Sequence, residues 1–209
     1  MNNERKIEII NATVALAAKH GLKNVSLTMV ANAVGIKKPS LYNHFKSKEQ
    51  LITSAYEYLR DNAKKSSALY GGDPLISEAE LKQGTAEQIL TNAVLNYAKM
   101  CNEANMLAFY KILYAGRAED GIAAKILTEE TEKMINATEL LFSAMQKFGK
   151  LYFNDVKKSA LSFALTVHGI IDYNEDKSTA TGLKRSGINE LSDFVKWFCA
   201  ENAKIKDRL

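Results

Sequence analysis

The run from Ser26 to Phe45, SLTMVANAVGIKKPSLYNHF, constrains this chain more than any other, because its residues fall at the spacing of two short helices joined by a tight turn. Ser26 can accept a hydrogen bond from a free N–H of a first helical turn, and Leu27, Val30, Ala31 and Val34 then recur along one face. Gly35 follows where the chain must reverse, a position at which a left-handed backbone disfavours any residue that carries a Cβ. Ile36 is apolar and is expected to fill the turn from the core side. Pro39 suits the first turn of a following helix, since the N–H it lacks has no intrahelical partner there. That helix is expected to run to about Phe45. Leu41 and Phe45, four residues apart, form its buried face, and Lys38, Pro39, Ser40, Tyr42, Asn43 and His44 are left for solvent or a ligand. A short exposed helix with Lys37 and Lys38 at its start suits the major groove of a DNA duplex.

Charge is distributed to match. The chain has 209 residues and a formal net charge of +4. Residues 1–66 hold 11 Lys or Arg against 5 Asp or Glu, while residues 67–209 hold 17 against 19. The basic end therefore coincides with the helix pair, as phosphate neutralisation requires. Apolar residues make up 46% of the chain, ordinary for a globular protein, and only two prolines, Pro39 and Pro74, interrupt it. No apolar run reaches the roughly 18 to 20 residues that span a bilayer, and MNNERKIEII lacks the pattern of a signal peptide. A cytoplasmic protein with no membrane partner is expected. Cys101 and Cys199 stand far apart with no CxxC or Cys/His cluster, so they are read as buried or idle thiols, with no metal site. No Ser/His/Asp or Cys/His arrangement and no phosphate-cradling glycine loop is legible, which speaks against an enzyme and against a cofactor.

The block from Ser26 through Leu51, above all Leu41-Tyr42-Asn43-His44-Phe45-Lys46-Ser47-Lys48-Glu49-Gln50-Leu51, closely resembles the N-terminal signature of the TetR family of bacterial transcriptional regulators. The signature is present in order and without gaps. Two departures stand out: Lys37 opens the recognition helix where the family often has a serine or threonine cap, and Met29 replaces a residue that is often polar or acidic. The first of these requires that the recognition helix start by another means. By match to the motif, the resemblance implies that Lys38, Pro39, Ser40 and Tyr42 meet bases or adjacent backbone. Tyr42, His44 and Lys48 would contact phosphate, and Ser26 and Thr28 would touch backbone or a groove edge. Lys37 and Asn43 complete the candidate DNA-binding set.

The rest of the chain reads as helix. A helix from Glu4 to about His20 carries Ile7, Ile10, Val14 and Ala17 on one face and ends at Gly21; another opens at Ser47 and continues through Leu51, Ile52, Ala55, Tyr58 and Leu59 towards Leu69. Tyr70 to Gly84, with Gly71-Gly72-Asp73-Pro74, is the main linker, holding a short helical turn near Ser77 to Leu81. Helical blocks follow at Thr85 to Glu103, Asn105 to Ala115, Gly121 to Phe148, Asn154 to Tyr173 and Gly187 to Ala203, with a polar loop over Asp176 to Gly187. The expected fold is all-α with about nine helices. A three-helix helix-turn-helix DNA-binding domain at residues 1–47 precedes a larger helical effector-binding and dimerisation domain at 48–209.

Phe163, Val167, Ile170 and Ile171 form one apolar stripe, and Phe194, Trp197 and Phe198 crowd the last helix, so these two helices have the composition of an association surface. The resemblance implies that they dimerise, which would set two recognition helices about 34 to 36 Å apart for a palindromic operator. In the middle helices, Tyr97, Met100, Met106, Phe109, Tyr110, Tyr114, Phe142 and Met145, with His168 as a polar handle, are candidates to line a cavity for a small apolar effector. The expected function is a homodimeric, ligand-released repressor on double-stranded DNA. An effector-independent architectural DNA-binding protein remains open, and so does an activator.

Overall fold

The computed structural model describes residues 2–66, 77–183 and 188–203. Among them are ten α-helices, one 3-10 turn at Leu22–Asn24 and no strand. The helices are α1 (Asn2–His20), α2 (Leu27–Ala33), α3 (Lys38–Tyr42), α4 (Lys48–Ser66), α5 (Glu78–Gln83), α6 (Ala86–Cys101), α7 (Ala104–Gly116), α8 (Gly121–Lys147), α9 (Val156–Thr181) and α10 (Ile188–Glu201). The all-α expectation holds. The count exceeds the expected nine because the helical turn anticipated inside the linker is a complete short helix, α5, closed by a capping box in which Ser77 and Glu80 exchange bonds. Residues 70–76 of that linker lie outside the described residues.

Local chemistry sets most boundaries. Ser26 Oγ accepts from the Met29 N–H at 3.2 Å and caps α2. At its other end Gly35 adopts φ +68°, the Gly35 N–H reaches the Asn32 carbonyl at 3.1 Å and the Ile36 N–H the Ala31 carbonyl at 2.9 Å. These two bonds and the left-handed residue form a Schellman motif, which satisfies carbonyls that the helix end would otherwise leave bare. Ser47 Oγ accepts from the Gln50 N–H at 3.0 Å to start α4, and Thr85 and Gln88 exchange bonds at 3.1 and 3.0 Å to start α6. Replacing Ser26 by alanine is expected to cost about 1 kcal/mol, the worth of one N-cap, measured as a shift in the urea midpoint with unchanged slope.

Two boundaries differ from the sequence reading. The recognition helix stops at Tyr42, with Asn43 as its cap, and the chain turns through His44 to Lys46. The expected loop from Asp176 is helical up to Thr181, where Gly182 at φ +67° ends it; residues 184–187 lie outside the described ones. Polar residues suggested a loop there, but the Thr181 hydroxyl donates to the Lys177 carbonyl at 2.7 Å and the Lys177 ammonium sits 4.2 Å from the centre of the Tyr173 ring, contacts available only on a helix.

The chain divides into two compact units, Met1–Ala68 with Met100–Glu130, and Leu69–Lys99 with Thr131–Leu209. In the first, α1 packs on α2, α4 and α7, and α7 also packs on α4. Its core includes Ile9, Ile10, Ala17, Leu22, Val30, Leu41, Phe45, Leu51, Ile52 and Leu113, all buried. The face of α1 that turns inward is rotated from the expected one: Ile7 and Val14 are half-buried and Thr13 is buried. A threonine is tolerated there because its hydroxyl donates to the Ile9 carbonyl at 2.8 Å, so no polar group is stranded.

The second unit is centred on aromatic rings. Phe142 is fully buried, stacks on Phe153 with centroids 4.5 Å apart, and meets Phe163 and Phe198 at 5.3 and 5.4 Å. Leu90, Val94, Met145, Ala160, Leu191 and Val195 complete this core. Cys199 lies at its margin, half-buried; burial, with the Glu87 charge adding to it, pushes the thiol up to about 11, so it is protonated at neutral pH.

Candidate nucleic-acid interface

The helix pair presents one exposed polar surface over a closed core. Val30, Ala31, Leu41 and Phe45 are at most 3% exposed, so the backbones of α2 and α3 are fixed by packing rather than by surface contacts. Ser26, Thr28, Lys37, Lys38, Pro39, Ser40, Tyr42 and Asn43 are all exposed on this scaffold, and His44 and Lys48 are half-buried. The unusual entry at Lys37 is explained by Pro39. Lys37 makes no side-chain cap, but Pro39 occupies the second helical position, where its fixed φ favours the turn and its missing N–H leaves one donor fewer to satisfy. The Ser40 and Leu41 N–H groups reach the Lys37 carbonyl at 2.9 and 3.3 Å.

Around α3 the cations serve two roles. Lys37 and Lys38 project from its start. Lys46 Nζ donates to the Tyr42 carbonyl at 3.1 Å, closing the C-terminal end of α3 with a positive charge. Lys48 Nζ donates to the carbonyls of Leu22 and Lys23 at 2.8 and 3.0 Å, which ties the first residue of α4 to the turn after α1. Two of its three N–H donors are thus engaged, and one is left for an oxygen outside the protein. The Nδ1 atom of His44 is buried with no hydrogen-bond partner among the described residues, so any outward contact of this ring runs through its Nε2 edge. Lys46 belongs to the signature block but not to the candidate binding set, since its only local signal is its place one turn after Tyr42.

The candidate effector residues fall into both units. Met100, Met106, Phe109, Tyr110 and Tyr114 belong to the first, where Tyr110 lies 6.4 Å from Tyr114 and Met106 and Phe109 are fully buried. Tyr97, Phe142, Met145 and His168 belong to the second. There the Tyr97 hydroxyl is 3.2 Å from His168 Nδ1, and His168 Nε2 is 3.7 Å from Asp172, a phenol–imidazole–carboxylate line on two half-buried helix faces. Phe142 and Met145 are fully buried, and the Phe142 ring is committed to its aromatic neighbours.

The association residues divide by exposure. Phe163, Val167 and Phe198 are buried in the second unit's core, Ile170, Ile171 and Phe194 are half-buried against it, and Trp197 is 58% exposed. The apolar side chains that α9 does present are others: Leu161 at 42%, Leu165 at 45% and Tyr173 at 56% exposure, with the exposed Gly169 completing the four-residue step. A Cβ at Gly169 would meet nothing within 4 Å. The stripe was visible in the sequence but polar Ser162, Thr166 and Asp172 beside it masked it.

Comparison with known proteins bears on the head. Residues 9–55 match the family model described as bacterial regulatory proteins, tetR family. These residues, which hold α2 and α3, are thus a tetR-type DNA-reading head by similarity. The chain is 45% identical to the uncharacterised HTH-type transcriptional regulator YerO of Bacillus subtilis over 56 residues, which are 27% of this chain and 19% of YerO. It is 39% identical to the HTH-type transcriptional repressor KstR of Mycolicibacterium smegmatis over 74 residues, 34% of this chain and 36% of KstR. The matched stretch thus spans about a fifth to a third of these relatives. Over nearly the whole length, the fold is that of the flavonoid-responsive regulator FrrA (TM-score 0.71, 20% identity, 95% of this chain and 96% of that one) and of SmeT in its triclosan complex (TM-score 0.67, 16% identity, 96% and 92%). The tetR-type head therefore sits in a chain whose fold is shared with these two over about 95% of its length.

Proposed function

We propose that this chain is a transcriptional regulator that binds a palindromic operator as a homodimer, acts as a repressor and is released by a small apolar effector. The observation that carries this reading is the surface of α3: exposed Lys37, Lys38, Ser40 and Tyr42 on a tetR-type scaffold whose own core is closed without them. Such side chains cost nothing to the fold, and they have the chemistry of phosphate and base-edge recognition. In this reading residues 1–47 are the DNA-binding domain and 48–209 sense and dimerise. Ser26 and Thr28 meet the backbone from α2; Pro39, Asn43 and His44 line the same face; and Lys48 offers its remaining N–H to a phosphate.

Repression rests on the likeness to KstR, and effector control on the likeness in fold to FrrA and to SmeT with triclosan. An effector that binds better to a dimer with misplaced heads weakens DNA binding, and DNA weakens the effector by the same factor. Selection of bound sequences from random duplexes, followed by footprinting, tests the reading: protection of two inverted half-sites supports it, and uniform coverage without preference refutes it.

The dimer face in this reading is Leu161, Leu165, Gly169 and Tyr173 of α9 with Trp197 of α10, and the half-buried Ile170, Ile171 and Phe194 flank it. Leu165→Glu places a charge at its centre, on a side chain that is 45% exposed and so little needed by the unit's own core. The variant is expected to be folded but monomeric by light scattering; a dimer of wild-type mass would remove α9 from the interface.

A further inference from the structure

One cluster in the first unit has no part in the surface just described. Glu130 of α8 is 4% exposed and both of its oxygens are used: Oε2 accepts from the Tyr56 hydroxyl, and Oε1 accepts from Arg60 Nε at 3.1 Å. Tyr56 and Arg60 are one helical turn apart on α4. The Tyr56 ring, itself buried, stacks against Phe109 at 6.2 Å and meets Tyr110 edge-on at 6.4 Å. Burial, and then the Glu130 charge, push the Tyr56 phenol far above its ordinary value, so it is a permanent donor. Burial works against the charged form of Arg60, but the Glu130 carboxylate together with the Tyr56 and Tyr110 oxygens more than offsets it, and the guanidinium stays charged.

A buried ion pair is a poor way to gain stability, since well-packed apolar groups of the same volume do as well or better. What it provides is one permitted arrangement. Apolar contacts hold a helix by shape alone, whereas two donors a turn apart on one carboxylate add directional bonds that fix both rotation and height. The same two helices also share an ion pair between Lys125 and Glu49 at 2.7 Å, but both of its side chains are more than half exposed and water screens it. We propose that Glu130 is a positioning residue for DNA recognition: through Tyr56 and Arg60 it fixes the register of α4, the helix that continues from the reading head, and so the placement of α3. This rests on the dimeric DNA-binding reading, because placement of a head matters most where a second head must match it.

The test uses the full-length protein and a duplex selected by the wild type, together with versions whose half-sites lie one base pair nearer or farther, and a duplex with one half-site. Wild type should prefer its own spacing by about tenfold or more, and Glu130→Gln and Tyr56→Phe should reduce this preference to about threefold, each having removed part of a charge-assisted contact. Lys125→Ala should keep the wild-type preference, and single half-site affinity should stay within about twofold throughout, as the reading residues are untouched. Tyr56→Phe removes one oxygen atom and decides the matter alone if Glu130→Gln fails to fold. Folded variants with wild-type spacing preference overturn the proposal and leave the DNA reading standing. So does an equal loss on single and paired half-sites, which would mark a merely structural role. A wild type that selects no duplex overturns both.

Discussion

Tyr42→Ala is expected to weaken binding to the selected duplex by about 30-fold or more while leaving the dimer intact. Tyr42 is 39% exposed at the end of α3, so its side chain contributes little to the core, and its removal leaves Leu41 and Phe45 in place beneath it. A single well-made contact to a base edge or phosphate is worth about 1 to 3 kcal/mol, and each dimer loses two of them, so the combined loss reaches one to several powers of ten. Tyr42→Phe separates the two parts of the contact: if the hydroxyl bonds a phosphate, most of the loss appears on removing the oxygen alone. Gel-shift titration gives the affinity and size-exclusion chromatography the dimer. Unchanged affinity in Tyr42→Ala would show that α3 does not dock by this face.

The largest stability effect belongs to the second unit. Phe142→Ala is expected to cost about 3 to 5 kcal/mol, because the ring is fully buried and its neighbours Phe153, Phe163 and Phe198 cannot all close on the space it leaves. For a chain of this size that lowers Tm by about 6 to 20 °C, a large part of the stability such a domain has. The measurement also separates two roles for Phe142. A ring with one face on a pre-existing cavity would lose little beyond its own transfer term, about 1.5 to 3 kcal/mol, since it has fewer packing contacts to give up. A loss of the larger size makes it a packing residue.

How much the sequence disclosed depends on the range of the interaction. Ser26, Gly35 and Ser47 were legible because a cap or a left-handed turn is written in four or five consecutive residues, and the structure forms each of them. The exposed face of α3 was legible for the same reason, as Leu41 within it and Phe45 just beyond it turn inward and leave the other residues outside. Thr13 was passed over, because its burial depends on a hydroxyl bond to Ile9 that composition does not show. On α9, periodicity revealed apolar stripes without saying which one the unit uses internally. Phe163 and Val167 go inward, and Leu161, Leu165 and Tyr173 are left outside. The Glu130 cluster was invisible, since its partners lie 74 and 70 residues away and no local pattern links them. Asp176 to Thr181 read as loop because its polar residues were weighed singly, though on a helix they face outward and bond back to the preceding turn.

Dimeric, sequence-specific recognition of DNA by α3 is the claim on which the rest depends. It is tested most directly by titrating a fluorescent duplex, chosen by selection, against the purified protein at fixed salt. The expected result is saturation at two protomers per duplex, with affinity about a thousandfold or more above that for a scrambled duplex of the same length. Equal affinity for the two duplexes, or saturation at one protomer, would contradict it.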